Sequence, residues 1–532
     1  MKAQNSYDKL RGGYYTPATI ADFVADWAVR DPDDRILEPS AGDGSFLKAL
    51  RAITINADAL AVELDPIEAK KASEYGYPVR NEDFFSYYEA EVEGKQKFDV
   101  VLGNPPFIRY QNFDEQYREV AFRLMKAHGF HPNRLTNIWL PFLLLSCEAL
   151  SDTGRIGMVI PAELFQVDYA AEARNYLSSH FEGLTLITFR KLVFEGIQQE
   201  VIILLGEKRT ENKGIRVVEL DGLNELIQEG QKCLATAETK QLDHSTDKWV
   251  KYYLSNQELE VLRRLNTDPR ISCSSSLYEI NVGLVSGEND FFMLNREAVE
   301  KWGLENDVTP IIGRSEQVKG ITLPLEEHIQ LQNSGKRVLL FTPGDVELED
   351  VSDNAKKYIA WGETQQYNAN YKCRIRKHWY HVPMSWTADA FLIRQANLYP
   401  KMIINNARAL VTDTLHKVRF FPGVDGNAVA AAFLNTYTLA LSETLGRSYG
   451  GGVLTFEPGE MRRMRIPMIC AEELDIMKID QWQRDGKYKE ILAYTDKLLL
   501  KDGLGLSDSD ISLLHSIWKK MRSRRLSRKQ ST

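Results

Sequence analysis

The segment that most constrains this 532-residue chain is 100–107, where an apolar run ends abruptly in Asn-Pro-Pro-Phe. The run over residues 98–102 predicts a buried β-strand. The two prolines fix their own φ angles and push the residue before each of them into an extended conformation, so no regular element can continue through the turn. The sequence therefore predicts a rigid turn at the end of a strand, a position where binding and catalytic residues are common.

The turn offers two hydrogen-bond acceptors and one aromatic ring. The side-chain amide oxygen of Asn104 and the carbonyl oxygen of Pro105 can together accept both hydrogens of a planar amino group, while Phe107 offers a face to a flat ring. An exocyclic amine of a nucleobase, or the amide of a glutamine, needs this arrangement because its delocalised nitrogen lone pair has to be directed at an electrophile. A plain turn after a strand is the alternative, although proline is too infrequent for the match to arise often by chance.

Composition places the chain among ordinary globular proteins, with 43% hydrophobic and 26% charged residues. The net charge of −8 does not exclude a basic cleft, because local distribution decides how a protein grips nucleic acid. The five cysteines lie far apart in sequence, so we expect no metal site. Residues 1–11 are polar, and the most apolar stretch, 138–150, is too short to span a bilayer. We therefore expect a cytoplasmic protein without a membrane segment.

Three predicted strands before the turn end in residues suited to an adenosine-containing cofactor. Residues 35–47 predict a strand, a Gly-x-Gly turn and a helix, but lack the third glycine of the dinucleotide fingerprint. Glu63 follows the second strand and can accept from two ribose hydroxyls. Asp83 can accept from an adenine amine while Phe84 covers the adenine ring. A tight turn and exposed loop acids are the alternatives, and the order of the motifs argues against them.

Ahead of these strands, the sequence predicts a helix with Thr16 as its N-cap and Pro17 in the first position. Its apolar residues recur on one face. They are Ile20, Phe23, Val24, Trp27 and Ala28.

In this order the motifs resemble those of the gamma class of adenine-N6 DNA methyltransferases, the TaqI-like modification enzymes of type II restriction-modification systems. The resemblance implies a Rossmann-like α/β domain that binds S-adenosyl-L-methionine, followed by an α+β target-recognition domain. The implied catalytic residues are Asn104, Pro105, Pro106 and Phe107. The implied cofactor-binding residues are Tyr15, Thr16, Pro17, Glu38, Ser40, Ala41, Gly42, Gly44, Glu63, Asp83, Phe84 and Phe142.

The sequence departs from the family pattern at one place. Where the family is expected to hold a second aromatic ring against the flipped base, this chain has Leu205. Phe194 is the nearby candidate for that wall of the base pocket.

A polar segment without periodicity, 241–251, places a boundary between two domains. We expect a catalytic domain over residues 1–245, a target-recognition domain over 246–480 and a helical, basic extension over 481–532. The segment that begins at residue 280 resembles the opening of the family's recognition domain. Basic and aromatic residues are interspersed from residue 374 to 381, which suits contact with double-stranded DNA. A solvated basic surface is the alternative. The candidate DNA-binding residues are Arg374, Arg376, Lys377 and Arg447.

The resemblance implies a monomeric enzyme that methylates N6 of a flipped adenine and protects host DNA from a separate cognate restriction endonuclease. Glutamine methyltransferases of release factors and ribosomal RNA methyltransferases carry similar turns and form the first alternative, but they usually lack a large domain after the catalytic one. A catalytically idle DNA-binding specificity protein is the second alternative. The intact Asn104, Pro105 and Phe107 argue against it.

Overall fold

The computed structural model describes residues 15–53, 57–194, 200–245, 247–383, 386–448 and 451–527. The chain divides into two compact units, Met1–Leu259 together with Ser527–Thr532, and Glu260–Leu526. The three domain limits expected from the sequence, 1–245, 246–480 and 481–532, stay predictions.

The first unit is built on a mixed sheet of eight strands, counted over the described residues, in the order β3-β2-β1-β4-β5-β7-β6-β8. Strand β7 runs antiparallel to its neighbours β5 and β6, and the other neighbours pair in parallel. The strands are β1 (Arg35–Glu38), β2 (Asp58–Val62), β3 (Val79–Arg80), β4 (Phe98–Gly103), β5 (Leu150–Pro161), β6 (Gly183–Phe189), β7 (Val201–Glu207) and β8 (Gly214–Leu220). This sheet confirms the expected Rossmann-like α/β fold.

Helices connect these strands, as a parallel sheet requires. They are α1 (Ala18–Ala28), α2 (Ser45–Ile53), α3 (Pro66–Ser73), α4 (Phe84–Tyr87), α5 (Glu115–Ala127), α6 (Trp139–Glu148), α7 (Ala171–His180) and α8 (Leu223–Thr236), with α9 (Asn256–Asn266) at the limit of the unit. Helix α1 buries Ile20, Phe23, Val24 and Ala28, which confirms the face predicted for it. Strand β4 is almost wholly buried, as its continuous apolar run predicts for a strand covered on both sides.

The second unit combines small, mostly antiparallel sheets with short helices, which agrees with the expected α+β class. Two sheets have four strands each, β10-β18-β14-β16 and β11-β13-β12-β17. The strands are β9 (Ile271–Cys273), β10 (Tyr278–Val282), β11 (Met293–Leu294), β12 (Val308–Ile312), β13 (Leu339–Phe341), β14 (Ala390–Ile393), β15 (Gln395–Ala396), β16 (Met402–Ile404), β17 (Leu410–Val411), β18 (Leu415–Phe420), β19 (Arg447–Ser448), β20 (Leu454–Thr455) and β21 (Arg465–Pro467). The helices are α10 (Asn289–Phe292), α11 (Arg296–Trp302), α12 (Leu325–Asn333), α13 (Asp353–Thr364), α14 (Tyr371–Arg374), α15 (Gly426–Ala432), α16 (Thr436–Leu445), α17 (Pro458–Met461), α18 (Ile476–Arg484), α19 (Tyr488–Thr495) and α20 (Asp508–Ser527).

The basic C-terminal segment is an ordered helix up to Ser527. Helix α20 buries Leu514, Ile517, Trp518 and Met521. Arg525, 2% exposed, donates from Nε to Glu443 at 2.9 Å and from Nη1 to the Gly452 carbonyl at 2.6 Å. This buried ion pair joins α20 to Glu443 on α16 within the second unit.

Over the described ranges, no helix has the length and apolar character needed to cross a membrane.

Replacing Arg525 by alanine should lower the free energy of unfolding by roughly 3–5 kcal/mol, because it leaves the Glu443 carboxylate buried without its partner. Lys519→Ala, on the exposed side of the same helix, should change it by less than about 0.5 kcal/mol. Urea denaturation of the full chain, followed by circular dichroism, measures both. Equal costs for the two variants would show that the buried pair does not hold the helix.

Candidate active site

Parallel pairing places the expected catalytic and cofactor residues at one edge of the large sheet. Glu38 is the last residue of β1, Glu63 follows β2 directly, and Asn104 follows β4 directly. Because β1 pairs in parallel with both β2 and β4, these three strands end at the same edge. This is the edge at which doubly wound sheets bind their ligands.

The Glu63 carboxylate ties the glycine turn after β1 to the start of helix α3. Its Oε2 accepts from the Gly42 backbone N–H at 2.8 Å, and its Oε1 accepts from the Asp65 N–H at 2.8 Å. The turn is also joined to β2, because the Ala41 N–H donates to the Val62 carbonyl at 2.9 Å. Glu63 therefore fixes the glycine turn relative to β2 and to the start of α3.

The two glycines of the turn have different reasons to be glycine. Gly44 has φ +85°, and a Cβ there would lie 2.8 Å from the Tyr75 ring and 2.9 Å from the Ala72 Cα. It is therefore required for packing against α3. Gly42 has φ +55°, and a Cβ there would have nothing within 4 Å. Its backbone faces open space that a ligand can approach.

Glu38 is a buried carboxylate that lacks the usual compensation. It is 1% exposed, and neither of its oxygens has a hydrogen-bond partner among the described residues. Burial, together with repulsion from Glu63 and Asp43, raises the pKa of Glu38 well above its ordinary value. Because a buried carboxylate without a partner is unfavourable, this position suits a cationic ligand group.

Asn104 is held by residues from two other segments. Its side-chain Nδ2 donates to the Thr16 hydroxyl at 3.1 Å, and its main-chain carbonyl accepts from the Ser40 hydroxyl at 3.2 Å. Since the amide is planar, the bond from Nδ2 also fixes the direction of Oδ1. The prediction that Thr16 is the N-cap of α1 was wrong: Pro17 occupies that position without a side-chain cap, and the Thr16 hydroxyl is bonded to Asn104 instead.

The residues expected to contact the cofactor adenine include Asp83 and Phe84, which lie beyond β3. Asp83 is the N-cap of α4 and accepts from Ser86 at 2.8 Å (N) and 3.0 Å (Oγ). Burial raises the pKa of Asp83 to about 6. The structure brings Phe84 and Phe142 together, with ring centroids 5.1 Å apart and planes inclined by 17°. Both residues are buried, at 2% and 6% exposure, so a ligand can touch only a small part of either ring without rearrangement.

The expected walls of the base pocket differ in accessibility. Phe107 is 9% exposed, and Phe194, the proposed second wall, is 6% exposed. Leu205 lies inside β7 opposite Gly157 and is 1% exposed, so it offers no face to a base. Tyr15, which was expected to bind the cofactor and not the base, is 48% exposed.

The four candidate DNA-binding residues are not all equivalent. Arg376 and Lys377 line one cleft of about 640 Å³ in the second unit, and Arg374 is exposed at the end of α14. Arg447 lies elsewhere, with its Nε 2.5 Å from an oxygen of the buried Glu460. The sequence alone did not identify the groups that contact Arg376. They are the Val285 carbonyl and the Phe292 ring, which lie far before Arg376 in the chain.

Among the described residues, no group of three or more histidine, cysteine or acidic side chains is arranged to hold a metal ion.

Two family models match the chain. Residues 50–194 match the Eco57I restriction-modification methylase, and residues 246–500 match the C-terminal domain of type II methyltransferase M.Eco57I. The chain belongs to the type II restriction-modification methyltransferases.

Two curated relatives of this methyltransferase are similar to it over most of their length. Type II methyltransferase M.AccI of Acinetobacter calcoaceticus is 24% identical over 514 residues, which is 91% of this chain and 92% of M.AccI. Type II methyltransferase M.XamI of Xanthomonas campestris pv. amaranthicola is 23% identical over 481 residues, or 86% of this chain and 85% of M.XamI.

Solved structures similar to this methyltransferase include the DrdV–DNA complex and the type IIG restriction endonuclease BpuSI. The DrdV comparison has a TM-score of 0.49 and 11% identity, and covers 89% of this chain and 56% of DrdV. The BpuSI comparison has a TM-score of 0.43 and 14% identity, and covers 97% of this chain and 66% of BpuSI.

In this methyltransferase, Asp83→Asn should make stability less dependent on pH. The folded state raises the pKa of Asp83 to about 6, so Asp83 contributes stability at low pH that is lost as pH rises through about 6. The asparagine keeps a capping oxygen but does not ionise. Relative to the parent, the variant should gain roughly 1–3 kcal/mol between about pH 4 and pH 7. Urea denaturation at several pH values tests this, with the exposed Glu82→Gln as the matched control. A pH-independent difference for Asp83→Asn would refute it.

Proposed function

We propose that this methyltransferase transfers a methyl group from S-adenosyl-L-methionine to N6 of a flipped adenine in double-stranded DNA. The observation that carries the proposal is the Asn104 amide, fixed directly after β4 by Thr16 and Ser40 on the same sheet edge as Glu38 and Glu63. This arrangement provides a rigid acceptor for an amine beside carboxylates suited to a cofactor.

The residues at this edge fit S-adenosyl-L-methionine. The unpartnered, buried Glu38 carboxylate suits the cationic methionine portion, and Glu63 is placed to accept from the ribose hydroxyls. Asp83 is then the acceptor for the adenine amine, with Phe84 and Phe142 beside the ring. When bound, the cofactor supplies an electrophilic methyl group on a sulfonium. By family resemblance, the proposed cofactor-binding set is completed by Tyr15, Thr16, Pro17, Ser40, Ala41, Gly42 and Gly44.

Asn104 and Pro105 act on the target amine. The Asn104 amide oxygen and the Pro105 carbonyl accept its two hydrogens, which favours the nitrogen lone pair over delocalisation into the base. In this role the two acceptors would hold the nitrogen with its lone pair available for the methyl group that the bound cofactor would supply, and the surplus proton of the methylated amine would pass to water. Position and polarisation carry the catalysis, so the chain needs no base that acts before attack.

Phe107 supports the base outside the duplex. Flipping an adenine costs a few kcal/mol, and stacking on an aromatic ring returns about 1–3 kcal/mol. Pro106 keeps Phe107 at a fixed place relative to Asn104. Because Phe107 is 9% exposed, a base can contact it only along a limited surface or after a small adjustment.

The second unit, in this proposal, selects the DNA sequence. The match of residues 246–500 to the C-terminal domain of a type II methyltransferase supports this division of labour. We further propose that the enzyme acts as a cytoplasmic monomer and that a separate restriction endonuclease cleaves the same unmodified site. Methylation of a protein glutamine or of ribosomal RNA would be the competing result.

Replacing Asn104 by alanine should lower single-turnover methylation by at least about 1000-fold, because the lost contact matters most as the nitrogen attacks. Cofactor and DNA affinities should change by less than about threefold. Tritiated S-adenosyl-L-methionine and a duplex that carries the site measure the rate, while calorimetry measures cofactor binding. Leu135→Ala, at an exposed position in the same unit, is the control and should retain the parent rate. Substantial activity in Asn104→Ala would exclude the proposed role.

Phe107→Ala should behave differently, because it removes support for the flipped base and leaves the amine acceptors in place. Its rate should fall about 5- to 100-fold on a paired adenine, in line with a stacking loss of about 1–3 kcal/mol, and less on the same adenine opposite a mismatch. The same single-turnover assay on paired and mismatched duplexes measures this. An equal loss on both duplexes would contradict a role in base flipping.

A further inference from the structure

The cleft of about 640 Å³ in the second unit combines charge with exposed apolar surface. Lys417 and Trp386 lie on its lining, with the Lys417 Nζ 4.5 Å from the Trp386 ring centroid. Val285 and Ile375, also in the lining, are 46% and 58% exposed. A surface of this kind suits the edges of stacked base pairs, which present acceptors, donors and thymine methyl groups together.

Arg376 is held in this cleft by one hydrogen bond and by a buried aromatic ring. Its Nη2 donates to the Val285 carbonyl at 2.9 Å, and its guanidinium carbon lies 5.5 Å from the centroid of the Phe292 ring. Phe292 is fully buried and packs edge-on against Phe291 at 4.9 Å, so the support is rigid. At Gly287, with φ +87°, a Cβ would lie 3.3 Å from Nη2, so a larger residue would crowd the guanidinium.

One nitrogen of this positioned guanidinium is left unsatisfied. Nη1 of Arg376 is buried and has no hydrogen-bond partner among the described residues. A buried charged donor without an acceptor is unfavourable, so the site gains free energy when a ligand supplies one. Guanine presents two acceptors, O6 and N7, on its major-groove edge, and the fork of an arginine matches both.

The neighbouring basic residues have the opposite character. Arg374 is exposed, and Lys377 is 77% exposed with only a surface ion pair to Glu347 at 3.2 Å. An exposed pair of this kind contributes little, so Lys377 can exchange Glu347 for a phosphate at small cost. Mobile, exposed cations suit the DNA backbone, which carries no sequence information.

We propose that Arg376 reads the major-groove edge of one guanine in the recognition site, whereas Arg374 and Lys377 contact phosphates. This assignment rests on the proposed function, because it requires DNA as the substrate. It makes Arg376 a specificity-determining residue and gives the two exposed cations a role in affinity alone. Arg447, paired with Glu460, has no part in it.

The test uses the full-length enzyme expressed in a host without other DNA methylation, followed by sequencing that locates the methylated positions. The methylation pattern of the parent enzyme defines the recognition motif and shows which of its positions are G·C pairs. Discrimination is measured as the ratio of kcat/KM for the site to kcat/KM for each of its single-base variants. In Arg376→Gln and Arg376→Met, this ratio should fall on the order of 10- to 100-fold at a single G·C pair. The other positions should keep their preference. Arg376→Met retains the packing on Phe292, so a loss of selectivity in it is not a folding defect.

Lys377→Ala is the matched control, one residue away in the same cleft. It should keep the parent motif, weaken binding to all duplexes alike and reduce the salt dependence of the affinity by about one ion. If both Arg376 variants showed that same uniform loss, or an unchanged motif and rate, Arg376 would not be a base reader and the proposal would be overturned. A parent that methylates no adenine would instead overturn the proposed function, before any variant is compared.

Discussion

The parallel pairing of β1 with β2 and β4 is the constraint on which the candidate active site depends. It brings Glu38, Glu63 and Asn104 to one edge of the sheet, although they are spread over the first hundred or so residues. The hydrogen bonds of Glu63 then hold the glycine turn against β2, and those of Thr16 and Ser40 hold Asn104 after β4. Without these side-chain bonds the strands would still be aligned, but Glu63 and Asn104 would not be held in fixed positions.

Local features of the sequence were enough to predict the sheet and the order of its strand ends. The apolar run before Asn104 and the prolines after it specify a buried strand and a stop, and both are found in β4. Local features did not predict which distant residue an individual side chain bonds to. Thr16 resembles an N-cap because it precedes a proline, but its hydroxyl meets Asn104, 88 residues away. The pairing of Arg447 with Glu460 on α17 is likewise not indicated by the sequence around Arg447, and its expected contact with DNA stays a prediction. Long-range pairs of this kind leave no periodic signal.

Buried polar atoms without a hydrogen-bond partner lie at both places where we propose ligands. Glu38 at the cofactor edge has both oxygens buried without partners, and Arg376 in the second unit has one such nitrogen. The first suits a cation and the second a hydrogen-bond acceptor, which the proposed sulfonium cofactor and the proposed guanine edge would supply. Proteins tend to break the rule of satisfied buried groups at functional sites, since a ligand can complete them. By contrast, the buried pair of Arg525 with Glu443 is complete and is structural.

The central claim is that the turn at Asn104 presents the amine of a DNA adenine to the methyl group. The most direct measurement is mass spectrometry of nucleosides released from DNA that the purified enzyme has modified with deuterated S-adenosyl-L-methionine. The account predicts that the label appears in N6-methyldeoxyadenosine and in no other nucleoside. Label in a methylated cytosine or guanine, or in protein or RNA but not in DNA, would contradict it.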